Sequence, residues 1–196
     1  MTEPTGLPIP LTEFIRDLLG VDTFVETGTG LGRTASIASD MFRFVYTIEA
    51  HQGRWEQARD RFRGSNVACI HGESPVTLAS LLDELQPRQC IVFLDAHCAY
   101  RDKVTDDACP ILSEIAVVRA ANPNHVIFVD DQHFFTSFPP KREQWSEWPE
   151  LVQVVNAFFD HDKVSPFVFI EGKCIVSIPR SIVEAVGEFL TGTKDD

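Results

Sequence analysis

The sequence predicts an α/β fold, a doubly wound and mostly parallel sheet that ends in an antiparallel hairpin. Three observations predict it. From Thr23 onward, short β-rich apolar runs alternate with amphipathic helical stretches, the pattern of successive βα units. The runs are nearly continuous in apolar residues rather than alternating, as suits strands covered on both faces. Near the C-terminus, SPFVFI and KCIVSI are separated by Glu171 and Gly172 alone, a connection too short for a parallel crossover, so these two strands must pair antiparallel.

Taken in order, a leading helix LTEFIRDLL (11–19) precedes the first strand, TFVE (23–26), and a helix over 33–41 follows it. FVYTIE (44–49) is the second strand, followed by a helix over 53–63 with Trp55, Ala58 and Phe62 at helical spacing. NVACIH (66–71), CIVFLD (90–95) and HVIFVD (125–130) are the next three strands, separated by helices at about 75–86 and 107–121. ELVQVVNAFF then reads as helix before the hairpin strands at 165–170 and 173–178, and SIVEAVGEFL (181–190) closes the chain. The leading and closing helices are expected to cover the sheet. With 196 residues, 44% of them apolar, and no repeat, low-complexity tract or linker, a single domain spanning 1–196 is expected.

Charge and cysteine usage exclude several classes. Lys and Arg number 17 against 29 Asp and Glu, a formal charge of −12, and the basic residues are scattered, which argues against nucleic-acid backbone or anionic lipid as partner. The five cysteines, at 69, 90, 98, 109 and 174, form no CxxC pair, and a reducing cytoplasm suits them. MTEPTGLPIP has neither a basic start nor an apolar core, and no apolar run approaches the roughly 18 residues of a membrane span.

VETGTGLGRTA, residues 25–35, carries the first chemical signal. A strand gives way to glycines on alternate positions, Gly28, Gly30 and Gly32, and then to a helical stretch. Such glycines let backbone approach a ligand, although a tight turn alone would also use them. Glu49, ending the second strand 21 residues after Gly28, favours a ligand, because an acid there accepts hydrogen bonds from both hydroxyls of a ribose. A dinucleotide-binding GxGxxG turn needs glycine or alanine at its third glycine position, where this chain has Arg33, so a nicotinamide cofactor is disfavoured.

With Glu26 in front, the pattern ExGxGxG resembles the first motif of class I S-adenosylmethionine-dependent methyltransferases, and the resemblance runs from Thr23 to Ile178. It implies a Rossmann-like sheet of seven strands whose last two form the hairpin. The implied cofactor is S-adenosyl-L-methionine, with Glu26 near its cationic methionine end, Thr27, Gly28, Gly30 and Gly32 in the turn beneath it, and Glu49 on the ribose. After the third strand the family often carries a glycine-aspartate turn beside the adenine. His71-Gly72-Glu73-Ser74 stands there, with glutamate in place of aspartate, which makes Glu73 and Ser74 the implied adenine contacts. Asp95 completes the implied cofactor set.

Ligands of an open α/β sheet gather at the carboxyl ends of its strands. Those ends read IEAH (48–51), CIHGES (69–74), FLDAH (93–97) and VDDQH (129–133), which brings Asp95, His97, Asp130, Asp131 and His133 to one edge. One aspartate ending a strand is an ordinary turn residue, whereas three on neighbouring strands repel unless a cation or protons intervene. Oxygen ligands favour Mg²⁺, with Mn²⁺ close behind, and histidine participation moves the preference toward Mn, Fe or Zn. The edge is similar to that of the metal-dependent O-methyltransferases of the catechol and macrocin or novobiocin types. In those, one aspartate after the fourth strand and an Asp-Asp or Asp-Asn pair after the fifth hold a divalent ion that chelates two adjacent substrate oxygens. Asp95, Asp130 and Asp131 match those positions. The usual base of the sugar-modifying members is an acid two residues beyond the first aspartate; His97 stands there instead, and an imidazole with an ordinary pKa near ~6.5 suits proton removal from a metal-acidified hydroxyl. His97 and Asp95 are thus the implied catalytic pair.

Two longer connections complete the reading. CAYRDKVTDDACPILSE (98–114) joins the fourth strand to a helix whose start Asp106 and Asp107 would favour. FFTSFPPKREQWSEWPE (134–150) is aromatic and proline-rich, as expected of a lid or acceptor wall; its Phe134, Phe135, Phe138, Trp145 and Trp148 would equally serve a homodimer contact. The expected activity is methyl transfer to a hydroxyl of a small molecule, assisted by a divalent metal, in a cytoplasmic enzyme. A metal-free or N-methylating enzyme on the same fold, and a noncatalytic cofactor-binding module, remain open at this point.

Overall fold

Backbone pairing assembles the apolar runs into one sheet, seen in a computed structural model that describes residues 6–97, 109–138, 148–159 and 165–192. Its strands are β1 (Thr23–Thr27), β2 (Phe44–Glu49), β3 (Val67–His71), β4 (Ile91–Leu94), β5 (Val126–Val129), β6 (Phe167–Glu171) and β7 (Cys174–Ile178). They lie in the order β3-β2-β1-β4-β5-β7-β6. The first five pair in parallel, and β7 pairs antiparallel with both β5 and β6. Strand order reverses between β1 and β4, so a crevice opens there at the carboxyl ends of the strands.

The continuous apolar runs are explained by two hydrophobic layers. Val25, Val92, Leu94, Ile127 and Val129 face one layer, completed by Leu78, Leu81 and Leu82 of α4 (Ser74–Leu85) and Ile111, Ile115 and Val118 of α5 (Ile111–Ala121). Phe24, Ile91, Phe93, Val126 and Phe128, the alternate positions, face the other. That second layer is closed by α1 (Ile9–Leu19), α2 (Arg33–Met41), α3 (Gln52–Arg61) and α8 (Val183–Thr191) through Leu11, Ile15, Ala35, Ala38, Ala58 and Val186. Two short helices, α6 (His133–Thr136) and α7 (Leu151–Ala157), follow β5.

Differences from the sequence expectation sit at edges and ends. NVACIH reads as a fully covered strand, but β3 is the sheet's margin: Val67 is buried, Ala68 and His71 are exposed, and Cys69 and Ile70 are half-buried. The hairpin turn is Gly172-Lys173, one residue later than expected, because Glu171 pairs with Cys174 and Gly172 takes a left-handed φ of 57°. The leading helix starts two residues earlier, since prolines are well placed in a first turn. Cys98, Asp106 and Asp107, and Trp145 with most of the aromatic insertion, lie outside the described residues. Among the described residues, no helix is long and apolar enough to cross a membrane.

Candidate functional site

The three glycines after β1 serve three different purposes. All have left-handed φ, at 80°, 54° and 69°. A Cβ on Gly28 would overlap the Asp95 carbonyl oxygen and come within 2.9 Å of the Ala96 Cα, so this glycine lets β1 and the exit of β4 touch. A Cβ on Gly32 would lie 2.8 Å from the Phe62 ring, so this one lets α2 start against α3. Gly30 alone faces open space, with Gly28 O at 3.9 Å the nearest atom. Of the bare backbone, that is the part left for a ligand.

The turn is tied to β2. Gly28 and Thr29 both donate to the Ile48 carbonyl, at 2.9 and 3.2 Å. Gly30 donates to Glu49 Oε2 at 2.9 Å, while the other oxygen of that carboxylate accepts from His51 N at 2.9 Å. These amides are therefore already engaged rather than offered to a phosphate, which counts against a dinucleotide. Each Glu49 oxygen keeps a second lone pair for a hydroxyl. The Glu73 side chain is exposed at the start of α4 and makes no cap, whereas Ser74 beside it is buried. Thr27, buried in β1, receives the Asp95 amide on its carbonyl at 3.2 Å and on its hydroxyl at 3.3 Å.

Beneath the turn lies a buried acid. Glu26 is 1% exposed and accepts from the Thr47 hydroxyl at 2.6 Å, which in turn meets the Thr29 hydroxyl at 2.6 Å. Because Thr47 spends its proton on Glu26, Thr29 donates to Thr47, and the three form a relay aimed at the carboxyl. Burial pushes the Glu26 pKa to about 8, against the pull of the Thr47 and Thr34 hydroxyls, with Glu49 adding to the rise. The folded chain therefore holds a proton that the unfolded chain has lost above the ordinary value of 4.5. Its stabilising contribution is complete below that value and disappears as pH rises through about 8. The melting temperature of the unliganded protein should fall between about pH 5 and 8, by up to about 1.4 kcal/mol of stability per pH unit from this group. Glu26→Gln should flatten that fall in a calorimetric pH series; an unchanged slope would show that Glu26 does not hold the proton.

At the neighbouring edge the structure groups the predicted residues differently from the sequence reading. Asp95, His97 and Asp131 each offer one donor atom, all within 4.8 Å of one another. Asp130 stands outside that trio: it is buried against the Cα of Gly6 and accepts the Asp131 amide at 2.7 Å. Adjacent aspartates diverge because Asp131 has a φ of 53°, a left-handed conformation costing an ordinary residue about 1–2 kcal/mol. The kink is held by Gln132 N donating to Lys173 O at 2.9 Å, and by Phe134 N donating to Asp131 O at 2.9 Å.

Electrostatics separate the three carboxylates. Burial, then Asp130, Glu26, Asp131 and Glu114, push the Asp95 carboxyl well above its usual range. Asp130 is pushed up by burial and by Asp131. Burial also raises Asp131, but His97, His133 and Lys173 outweigh it and leave that carboxyl below the usual range. His97 Nε2 is 3.8 Å from Asp131 Oδ2, and His133 Nδ1 is 3.8 Å from Oδ1. These are ion-pair distances, too long for hydrogen bonds.

His97 sits in an aromatic slot. Its side chain is 1% exposed, and neither ring nitrogen has a hydrogen-bond partner, a situation that costs about 1–3 kcal/mol per group. Phe135 and Trp148 meet the imidazole edge-on at centroid distances of 5.8 and 5.7 Å. Beyond them opens a cleft of about 550 Å³ lined by Phe134, Phe135, Phe138, Trp148, Leu151 and Val152 among others. The sequence reading did not foresee the packing of Phe135 and Trp148 on His97, because the two aromatics stand 13 positions apart and nothing local marks their meeting.

No family model matches this sequence, and no curated protein does. Solved structures do. The O-methyltransferase from Bacillus cereus, in complex with SAH, superposes with a TM-score of 0.58 at 14% identity, over 89% of this chain and 84% of that one. The O-methyltransferase TomG from Streptomyces achromogenes, in complex with SAM and involved in tomaymycin synthesis, gives 0.59 at 15% identity, over 90% and 82%. Streptomyces venezuelae DesVI gives 0.53 at 12% identity, over 86% and 91%. At these identities the likeness is one of fold: the chain has the class I methyltransferase fold, with its seven strands and terminal antiparallel pair.

Proposed function

We propose that the chain is an S-adenosylmethionine-dependent methyltransferase acting on a hydroxyl of a small molecule, with a divalent ion held at the acidic edge. One observation carries the reading. At the β1/β4 switch point the turn that carries the open Gly30 touches Asp95 through Gly28, and buried Glu26 acts electrostatically on that same Asp95 of the Asp95, His97 and Asp131 trio, so a place for a cofactor adjoins an acidic centre. The bound SAH and SAM of two proteins with the same fold support the choice of cofactor.

The residues present suit that cofactor. It supplies a methyl already activated on a sulfonium, so the chain has only to position the acceptor and take up a proton. Glu49 has lone pairs left for ribose hydroxyls, and a cation beside Glu26 favours the ionised carboxylate, so binding should release a proton below pH 8. The donor set of two carboxylates and a buried, unpartnered imidazole suits a divalent ion, which when bound lowers the pKa of a hydroxyl it holds. The mostly apolar cleft suits a small acceptor and excludes water from it. Phe134, Phe135 and Trp148 are buried around this cleft, which favours the acceptor wall over the homodimer contact. The formal charge of −12 speaks against nucleic acid as acceptor.

Calorimetry tests the reading. S-adenosylmethionine or its demethylated product should bind at micromolar or tighter levels, and NAD should not. Glu49→Ala should weaken binding by about 1.5–3 kcal/mol, as expected when hydrogen bonds to a charged group are lost. Binding of NAD, or an indifferent Glu49→Ala, would remove the cofactor assignment. A metal-free or N-methylating enzyme would keep its activity in EDTA.

A further inference from the structure

We infer that His97 is a metal ligand rather than the base, and that with Asp95 and Asp131 it selects a first-row transition ion such as Mn²⁺ over Mg²⁺. The inference rests on the metal reading above and changes its ligand set from Asp95, Asp130 and Asp131 to Asp95, His97 and Asp131.

Three features carry it. First, the trio is the group whose donor atoms come within 4.8 Å of one another, and donors sharing an ion at about 2.0–2.2 Å sit roughly 3–4 Å apart. The 3.8 Å between His97 Nε2 and Asp131 Oδ2, too long for a hydrogen bond, is a ligand-to-ligand spacing. Second, the imidazole is 1% exposed and both nitrogens lack hydrogen-bond partners. A base must reach the acceptor's proton, yet Phe135 and Trp148 stand against this ring. A ligand needs only to reach the ion, and coordination would satisfy a nitrogen that is otherwise orphaned. Third, the placement is built. Asp95 is fixed by two contacts to Thr27, and His97 follows two residues on. Asp131 is turned into the trio by its left-handed φ while Asp130 accepts its amide, so Asp130 is a positioning residue. An imidazole among the donors favours Mn, Fe or Zn over Mg, which keeps to oxygen.

The test uses the full chain stripped with a chelator, titrated with Mn²⁺ and Mg²⁺ by calorimetry, and with pulsed EPR of the Mn²⁺-loaded protein. Mn²⁺ should bind at least about tenfold tighter than Mg²⁺, and the EPR signal should show nitrogen modulation. His97→Ala and His97→Gln should each weaken Mn²⁺ about 10–100-fold and erase the modulation, with Mg²⁺ affinity little changed. His133→Ala should keep the modulation, and Asp131→Asn should weaken Mn²⁺ more than Asp130→Asn does. Melting curves and cofactor titrations show whether each variant is folded; if neither His97 variant is, the modulation in wild type and in His133→Ala still decides. No modulation in wild type, its survival in both His97 variants, or a greater loss from Asp130→Asn than from Asp131→Asn would overturn the inference. Cofactor binding without any ion would overturn it while leaving the methyl-donor reading intact; ion binding with modulation but no cofactor binding would do the reverse.

Discussion

Gly28→Ala is expected to destabilise the protein by about 3 kcal/mol or more, while Gly30→Ala, two residues on, should stay folded and fail to bind cofactor. At Gly28 the added Cβ overlaps backbone, the Asp95 carbonyl and Ala96 Cα, in a residue with φ of 80°. Neither partner is the end of a flexible side chain, so β4 itself would have to shift. Overpacking of roughly 1–3 kcal/mol adds to roughly 1–2 kcal/mol for the left-handed conformation. In a chain of this length, about 3 kcal/mol is a fall of about 6–12 °C in melting temperature. At Gly30 the Cβ meets open space, so only the conformational cost remains, and the methyl group stands where the ligand would lie. Differential scanning calorimetry and cofactor titration on both variants separate the two roles. Equal losses of stability would mean that Gly30 is also a packing residue.

Asp131→Asn is expected to lower turnover by at least about 10²-fold with cofactor affinity nearly unchanged. Asparagine tolerates the left-handed φ of 53° that Asp131 adopts, so the turn should survive and the loss should be chemical. Glu26 and Glu49, the acids proposed for the cofactor, lie on β1 and β2, with β4 between them and β5 in the sheet. Stability should respond with opposite signs across the cluster. The Asp131 carboxyl is held below its usual range, so its charge contributes stability above that range, which is lost as pH falls through the lowered value. Asp95 is pushed up, so its charge opposes folding, and Asp95→Asn should raise the melting temperature of the metal-free chain near pH 8. Single-turnover kinetics and melting curves on the two variants check both halves. Full activity of Asp131→Asn in EDTA would return the edge to a structural role.

The fold was legible because burial on both faces writes itself as continuous apolar runs: Phe24 and Val25, or Val126 to Val129, contribute alternate residues to two layers. The hairpin was legible because a two-residue connection permits one geometry. Edge strand β3 was misread as fully covered because its sequence is apolar while its position is marginal. In the site, Glu26, Glu49 and Asp95 could be placed from strand ends alone. Which glycine is left open could not, since that depends on Phe62 and Asp95, distant in sequence. Nor could the divergence of Asp130 from Asp131, which turns on one backbone angle.

The support that Lys173 O gives to Gln132 N has a consequence for how the protein is made. The glycine turn, Glu26 and Glu49 emerge from the ribosome early, with β1 and β2. The turn that aims Asp131 is buttressed from the hairpin, and β7 inserts between β5 and β6 as the last strand to appear. Nascent or prematurely ended chains would therefore carry the proposed cofactor half of the crevice without an aligned acidic half, and the proposed chemistry would begin only once the sheet is complete.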